Sequence, residues 1–310
     1  GHERLLNYAI EEDNCLTCHN GNVATNNIAS ELTKPFGHFV QNYAGVHNPT
    51  ENFVLGGVQK HVECSDCHNP HQSNPRPTSG APLVSGATQG VSGIDASGQA
   101  IKYAQNQYEI CFKCHGNNNF ISSLAITRQI DQLNTRQEFD QANPSFHPVT
   151  GPGANSNVPS LLPPYTTSSK IYCTDCHNND DANGPQGPHG SYNAFLLAKN
   201  YTTADNTLES PMAYELCYSC HSRASILGDQ SFKDHNKHIV ERNTPCSACH
   251  DAHGISNTQG NPVNNAHLIN FDLNIVQPDS LGRLFYEKTG PESGQCYLNC
   301  HGASHSPRSY

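Results

Sequence analysis

The chain has 310 residues, of which only 35% are hydrophobic, with no Trp, 24 Gly, 20 Pro, a mean hydropathy of −0.62 and a formal charge of −10. So little apolar material makes a thin core for this length, which argues against ordinary globular domains. The acidic balance speaks against nucleic acid or anionic membrane surfaces as partners, and no apolar run approaches the roughly 18 residues of a membrane span.

Taken in order, the chain opens Gly-His-Glu-Arg, as a mature form would after signal removal, and does not open on a Cys that could carry a lipid anchor. The first word is Cys15-Leu-Thr-Cys18-His19. It recurs as Cys64-Ser-Asp-Cys67-His68, Cys111-Phe-Lys-Cys114-His115, Cys173-Thr-Asp-Cys176-His177, Cys217-Tyr-Ser-Cys220-His221 and Cys246-Ser-Ala-Cys249-His250. A stretched form, Cys296-Tyr-Leu-Asn-Cys300-His301, closes the series, and the seven words use all 14 cysteines.

Cys-x-x-Cys-His is the attachment signature of c-type haem. Two thiols add across the vinyl groups on one porphyrin edge while an imidazole reaches the iron. Residues three and four apart share a helix face, so one turn presents all three groups together. Zinc ribbons, redox dithiols and disulfide scaffolds also use paired cysteines but have no need of the following His. With 19 His in 310 residues, chance would place one there about one time in sixteen, yet it follows all seven pairs. Seven covalently bound haem c groups are therefore expected, and covalent haem implies export from the cytoplasm.

The expected fold class is mostly irregular coil with short α-helices and very little β, wrapped around haems that replace the missing apolar core. The words divide the chain into a single-haem leader, residues 1–60, and two-haem modules over 61–143, 144–232 and 233–310, in one continuous haem-packed unit. Tyr-Glu-Ile/Leu before Cys111 and Cys217 reads as a helical lead-in of about two turns including the word. Ser122–Glu138, with Leu124, Ile126, Ile130 and Leu133, reads as the best helix candidate. Pro75–Gly98 and Pro144–Pro164 read as Pro/Gly/Ser loops. Asn178–Gly184 reads as a polar turn, with calcium as the alternative.

Seven histidines serve as proximal ligands, and with a single Met the second ligand should also be His. His71, His189 and His253 follow the first word of each pair, whereas His47 and His147 precede their pairs. His238 is preferred to His235 before the third pair, and His61 to His38 for the seventh place. His2, His267 and His305 are held in reserve. Irons with two imidazoles have no position open to substrate, so electron transfer is expected rather than catalysis.

The run Cys-x-x-Cys-His-x-Pro-His, a loop, then Tyr-Glu-Leu-Cys-x-x-Cys-His resembles the doubled-CxxCH family of multihaem cytochromes, from about residue 60 to 301. The second pair departs from it by the residues inserted between His177 and His189. The resemblance implies secretion, and similarity to the subunits of extracellular cytochrome filaments implies a head-to-tail homopolymer that conducts electrons. Other redox proteins, minerals or electrodes would be its acceptors. A monomeric periplasmic shuttle is the alternative. A multihaem oxyanion reductase is a lesser one, since no Cys-x-x-Cys-Lys occurs.

Overall fold

A computed structural model describes residues 6–43, 48, 60–77, 80–117 and 125–310. Its regular structure is sparse. The described helices are α1 (Glu11–Leu16), α2 (Ile28–Glu31), α3 (Cys64–Cys67), α4 (Gln107–His115), α5 (Thr135–Glu138), α6 (Glu215–Tyr218) and α7 (Arg223–Leu227). Short strands form three antiparallel two-stranded clasps: β1 (Phe36–Gly37) with β5 (Gly190–Ser191), β2 (Gly93–Ile94) with β3 (Ala100–Ile101), and β4 (Ser145–Phe146) with β6 (Gly254–Ile255). The remaining strands, β7 (Val276–Gln277), β8 (Phe285–Gly290), β9 (Ser293–Cys300) and β10 (Ala303–Ser309), make one antiparallel sheet in which β9 pairs with all three others. No helix among the described residues is long and apolar enough to cross a membrane.

The words explain where the turns fall. In five of them the histidine amide donates to the carbonyl of the first cysteine at 2.9–3.0 Å, closing a single helical turn. The sixth, Cys111–His115, is the C-terminal part of α4, whose start is fixed by a capping box. There the Glu109 carboxylate accepts from the amides of Gln105 at 2.7 Å and Asn106 at 3.0 Å. Asp66 and Asp175, each just before the second cysteine of a word, accept from the amides of Glu63 and Tyr172, both at 2.8 Å. An aspartate in that place caps the turn that carries the word.

The chain divides into two compact units, one of Gly1–Phe120 with Ile171–Asn200 and one of Ile121–Lys170 with Tyr201–Tyr310. In the first, Val91, Ala104 and Ile110 form a small buried cluster against Cys67. In the second, Ala213, Tyr214 and Ile239 pack against Cys217 and Cys246. A larger cluster of Ala248, Phe271, Val276, Tyr286 and Leu298 packs against Cys249, Cys296 and Cys300. Apolar side chains thus gather in patches beside the words.

Two expectations need correction. Within 125–138 only α5 is helical. Arg128 bridges Asp272 in extended pairing, and its buried guanidinium donates to the carbonyls of Ser247, Asn270 and His250 at 2.5, 2.8 and 3.0 Å. Tertiary hydrogen bonds outweigh the helical periodicity of Ile126 and Ile130; Ser122 and Leu124 lie outside the described residues. The C-terminal sheet also exceeds the little β expected, and the seventh word lies on its central strand. Asn178–Gly184 is a polar turn in which Asp180 accepts from the Lys34 ammonium at 2.8 Å.

Candidate haem-ligand site

Among the described residues, the word histidines His68, His115, His221 and His250 each face a second imidazole at nearly one separation. Ring centroids lie 6.1 Å apart for His38–His115, 6.1 Å for His68–His189, 6.5 Å for His147–His221 and 6.3 Å for His235–His250. Two metal–imidazole bonds of about 2 Å each, end to end, with half a ring on either side, give about 6 Å. The spacing fits an iron between each pair and is wide for bare ring stacking.

The rings are oriented for ligation. Nδ1 donates to a backbone carbonyl in His68 (Ala87, 2.9 Å), His177 (Phe195, 2.9 Å) and His250 (His267, 2.9 Å). It does so too in His38 (Pro188, 2.8 Å) and His147 (Ala252, 2.6 Å), while Nδ1 of His221 pairs with the Ser160 hydroxyl at 2.9 Å. Each bond to a carbonyl fixes the tautomer and leaves the Nε2 lone pair for a metal. Burial pushes His189 and His221 down to about 4 and His235 to about 3, which keeps the imidazoles neutral, as ligation requires.

Burial holds five of the thiols in the protonated form. Burial raises Cys67, Cys114 and Cys249 to about 12 and Cys296 and Cys300 to about 11, so each is held neutral. The thiols of the first cysteines of successive words lie near one another: Cys15 with Cys64, Cys111 with Cys173, and Cys217 with Cys246. Words one and two, three and four, and five and six are therefore adjacent, and Cys249 packs in one cluster with Cys296 and Cys300 of the seventh.

Two clasps hold the second imidazoles, and they are copies of one device. In the first, β1 leads into His38 and His189 leads into β5; in the second, β4 leads into His147 and His253 leads into β6. Asn27 caps α2 through the Ser30 amide and Asn134 caps α5 through the Gln137 amide; Glu31 and Glu138 close these turns. A Cβ on Gly190 would collide with the Glu31 carbonyl, and one on Gly254 with the Glu138 carbonyl, so the helix–clasp contact requires glycine at both. The signal was in the sequence: Asn-x-x-Ser-Glu31 before Phe-Gly-His38 repeats as Asn-x-x-Gln-Glu138 before Phe-His147. A second repeat, Asn-Ala-Phe-Leu-Leu197 and Asn-Ala-His-Leu-Ile269, forms the short 3-10 turns whose carbonyls anchor His177 and His250. His267 therefore acts there through its backbone oxygen.

Other expected ligands lie differently. His38 faces a word histidine, whereas His61 stacks on Tyr43 at 4.5 Å, with its Nε2 3.9 Å from Glu63. His235 faces His250, and His238 faces His305 at 6.2 Å. Nδ1 of His253 donates to the Glu138 carboxylate at 3.0 Å. His71 is exposed in a turn held by Asn69, with no imidazole opposite it among the described residues. His301 meets Asp205 at 2.8 Å. His2 and His47 lie outside the described residues.

A family model described as outer membrane cytochrome MtrC/MtrF-like, domains II/IV, matches residues 93–261, more than half of the chain. Neither the comparison with curated proteins nor that with solved structures returned a match.

Proposed function

Because the chain belongs to the MtrC/MtrF-like outer membrane cytochromes, domains II/IV, we propose that it is a seven-haem electron conduit with two imidazoles at each iron. The observation that carries this reading is the set of imidazole pairs 6.1–6.5 Å apart, each containing the histidine of a Cys-x-x-Cys-His word. When bound, haem c supplies a one-electron Fe(III)/Fe(II) couple spread over a conjugated ring.

The chain's own residues do the rest. The cysteines of each word would hold a haem at its edge, and the facing imidazoles, in each of three pairs with one ring anchored on a backbone carbonyl and in the fourth on one carbonyl and one hydroxyl, would ligate its iron. With both positions filled, no iron is open to substrate, which favours electron transfer over catalysis at the metal. Nδ1–H bonds make the imidazoles more basic and stabilise the ferric state, holding potentials low. Contacts between the first cysteines of successive words place their attachment points side by side, as hopping between neighbours needs.

Membership of a family of outer membrane cytochromes points to a surface or extracellular location. In the proposal, electrons pass to other redox proteins or to extracellular acceptors such as minerals or electrodes. Copies join head to tail as a filament through the leader word Cys15–His19, whose Cys18 is exposed. Redox titration of the holoprotein followed by low-temperature spectroscopy tests the ligation: all irons low-spin and six-coordinate is the expected result, and a resting high-spin iron contradicts it. Electron micrographs of native material test the polymer. Filaments are expected, and discrete monomers would remove that clause while leaving electron transfer in place.

A further inference from the structure

The fourth and sixth words stand on one scaffold. In the fourth, the Asn178 amide donates to the Leu196 carbonyl at 3.1 Å and the Ala198 amide to the Cys176 carbonyl at 2.8 Å. In the sixth, the Asp251 amide donates to Leu268 at 2.8 Å and the Asn270 amide to Cys249 at 2.9 Å, the same two rungs between word and turn. Nδ1 of His177 and of His250 donates to the matching carbonyl of that turn, Phe195 or His267, at 2.9 Å in both. The acids balance as well. Asp175 and Asn178 in and after the fourth word answer to Ala248 and Asp251 at the sixth, one carboxylate each.

Arg128 breaks the match. Its buried guanidinium is held against the sixth word itself, Nη1 donating to the Ser247 carbonyl at 2.5 Å and Nη2 to the His250 carbonyl at 3.0 Å. Nη1 also donates to the carbonyl of Asn270, the residue whose amide makes the second rung, at 2.8 Å. The strap that carries Arg128 is fastened on both sides of it. The Gln129 amide donates to Phe271 at 2.9 Å and the Leu273 amide to Thr127 at 2.8 Å. Asp251 Oδ2 lies 3.7 Å from the Arg128 Nε, but that carboxylate also accepts from the His253 amide and the Asn270 side chain, both at 3.0 Å. Burial pushes the His250 imidazole down, and the Arg128 charge lowers it further. A cation that disfavours a proton on this ring also disfavours the extra positive charge of ferric over ferrous iron bound to it.

We propose that Arg128 raises the potential of the haem at Cys246–His250 above that of the haem at Cys173–His177. Electrons then settle at the sixth word in preference to the fourth. The assignment rests on the multihaem reading, and peptide mapping of the wild-type holoprotein separates the two. A haem is expected on the peptide containing Cys246 and Cys249. A bare peptide there would overturn both, whereas a loaded one whose potential ignores Arg128 would overturn the assignment alone.

Arg128→Gln removes the charge and keeps a hydrogen-bond donor. Redox titration of the holoprotein should show one component moved to lower potential and the others in place. Arg128→Lys keeps the charge without the planar fork and should return that component to its wild-type position. A role confined to holding the fold would move both variants alike. That result would overturn the assignment, as would an Arg128→Gln titration identical to wild type. Should Arg128→Gln fail to accumulate, the wild-type holoprotein supplies the second test. NMR spectra taken at successive potentials, with each haem assigned through its contacts to its own cysteines, should find the haem at Cys246 and Cys249 more reduced than the one at Cys173 and Cys176. Equal reduction or the reverse order would overturn the assignment.

Discussion

His147 and His253 lie side by side in one clasp, the amide of His147 donating to the His253 carbonyl at 2.8 Å, yet their rings are anchored by different groups. Nδ1 of His147 donates to the neutral Ala252 carbonyl, and Nδ1 of His253 donates to the Glu138 carboxylate. In the corresponding clasp Glu31 is instead occupied by the Lys34 ammonium at 2.6 Å. Gln141 stands where Lys34 would and cannot neutralise Glu138. Burial alone would lower His253, but the carboxylate outweighs it and raises the group to about 9, so without haem the ring is protonated at neutral pH and an iron would have to displace the Nε2 proton to be ligated by it.

That difference predicts a tuned iron. A carboxylate behind a ligating imidazole increases its basicity and favours the ferric state. Glu138→Gln should move one component of the redox titration to higher potential and leave the others in place. Spectroelectrochemistry checks this, and an unchanged titration would show that His253 does not tune an iron through Glu138.

Removing a second imidazole should open one iron. His147→Ala should keep the haem count but turn one low-spin centre high-spin and raise its potential, as read by magnetic circular dichroism and redox titration. A fully low-spin spectrum would contradict the pairing of His147 with His221.

The clasps should be intolerant of a methyl group. Gly254→Ala places a Cβ against the Glu138 carbonyl and should cut the yield of haem-loaded protein or displace His253 from its partner. Gly153→Ala is the control, since its Cβ would meet nothing closer than the Phe146 carbonyl at 3.7 Å. Equal behaviour of the two variants in haem staining and thermal melting would argue against the clasp as a tight joint.

The first unit carries an acid-sensitive ion pair. Burial pushes the Asp180 carboxyl up, but the Lys34 ammonium and the Tyr192 amide outweigh it and hold the group below the usual carboxylate range. A depressed folded value contributes stability that is present above the unfolded value, about 3.9, and is lost as pH falls through the folded one. Asp180→Asn should flatten the loss of stability below about pH 4. Lys34→Ala, which strands Glu31 and Asp180, should cost about 3 kcal/mol at neutral pH. Melting curves across pH check both, and an acid limb unchanged in Asp180→Asn would remove the pair from the account.

The attachment words were legible because covalent chemistry fixes their spacing whatever surrounds them. Second ligands were less so, since His38 meets His115 and His189 meets His68 only through tertiary packing. The Asn-to-Glu repeat before Phe-Gly-His38 and Phe-His147 marked the clasps, but its glycine requirement shows only when Gly190 and Gly254 meet helix carbonyls. The strap through Arg128 was misread as helix because a buried guanidinium leaves no trace in a periodicity. The closing sheet was missed for a related reason. The closing word was set apart as a stretched form, but very little β was expected anywhere, although the run Gly294–Leu298 suits a strand.

Intact mass spectrometry of the holoprotein under denaturing conditions tests the central claim most directly, because covalent haem survives unfolding. The expected result is the 33.7 kDa polypeptide plus the mass of seven haems, one for each of the seven words that use the 14 cysteines. A smaller whole number, or a polypeptide without added mass, would contradict it.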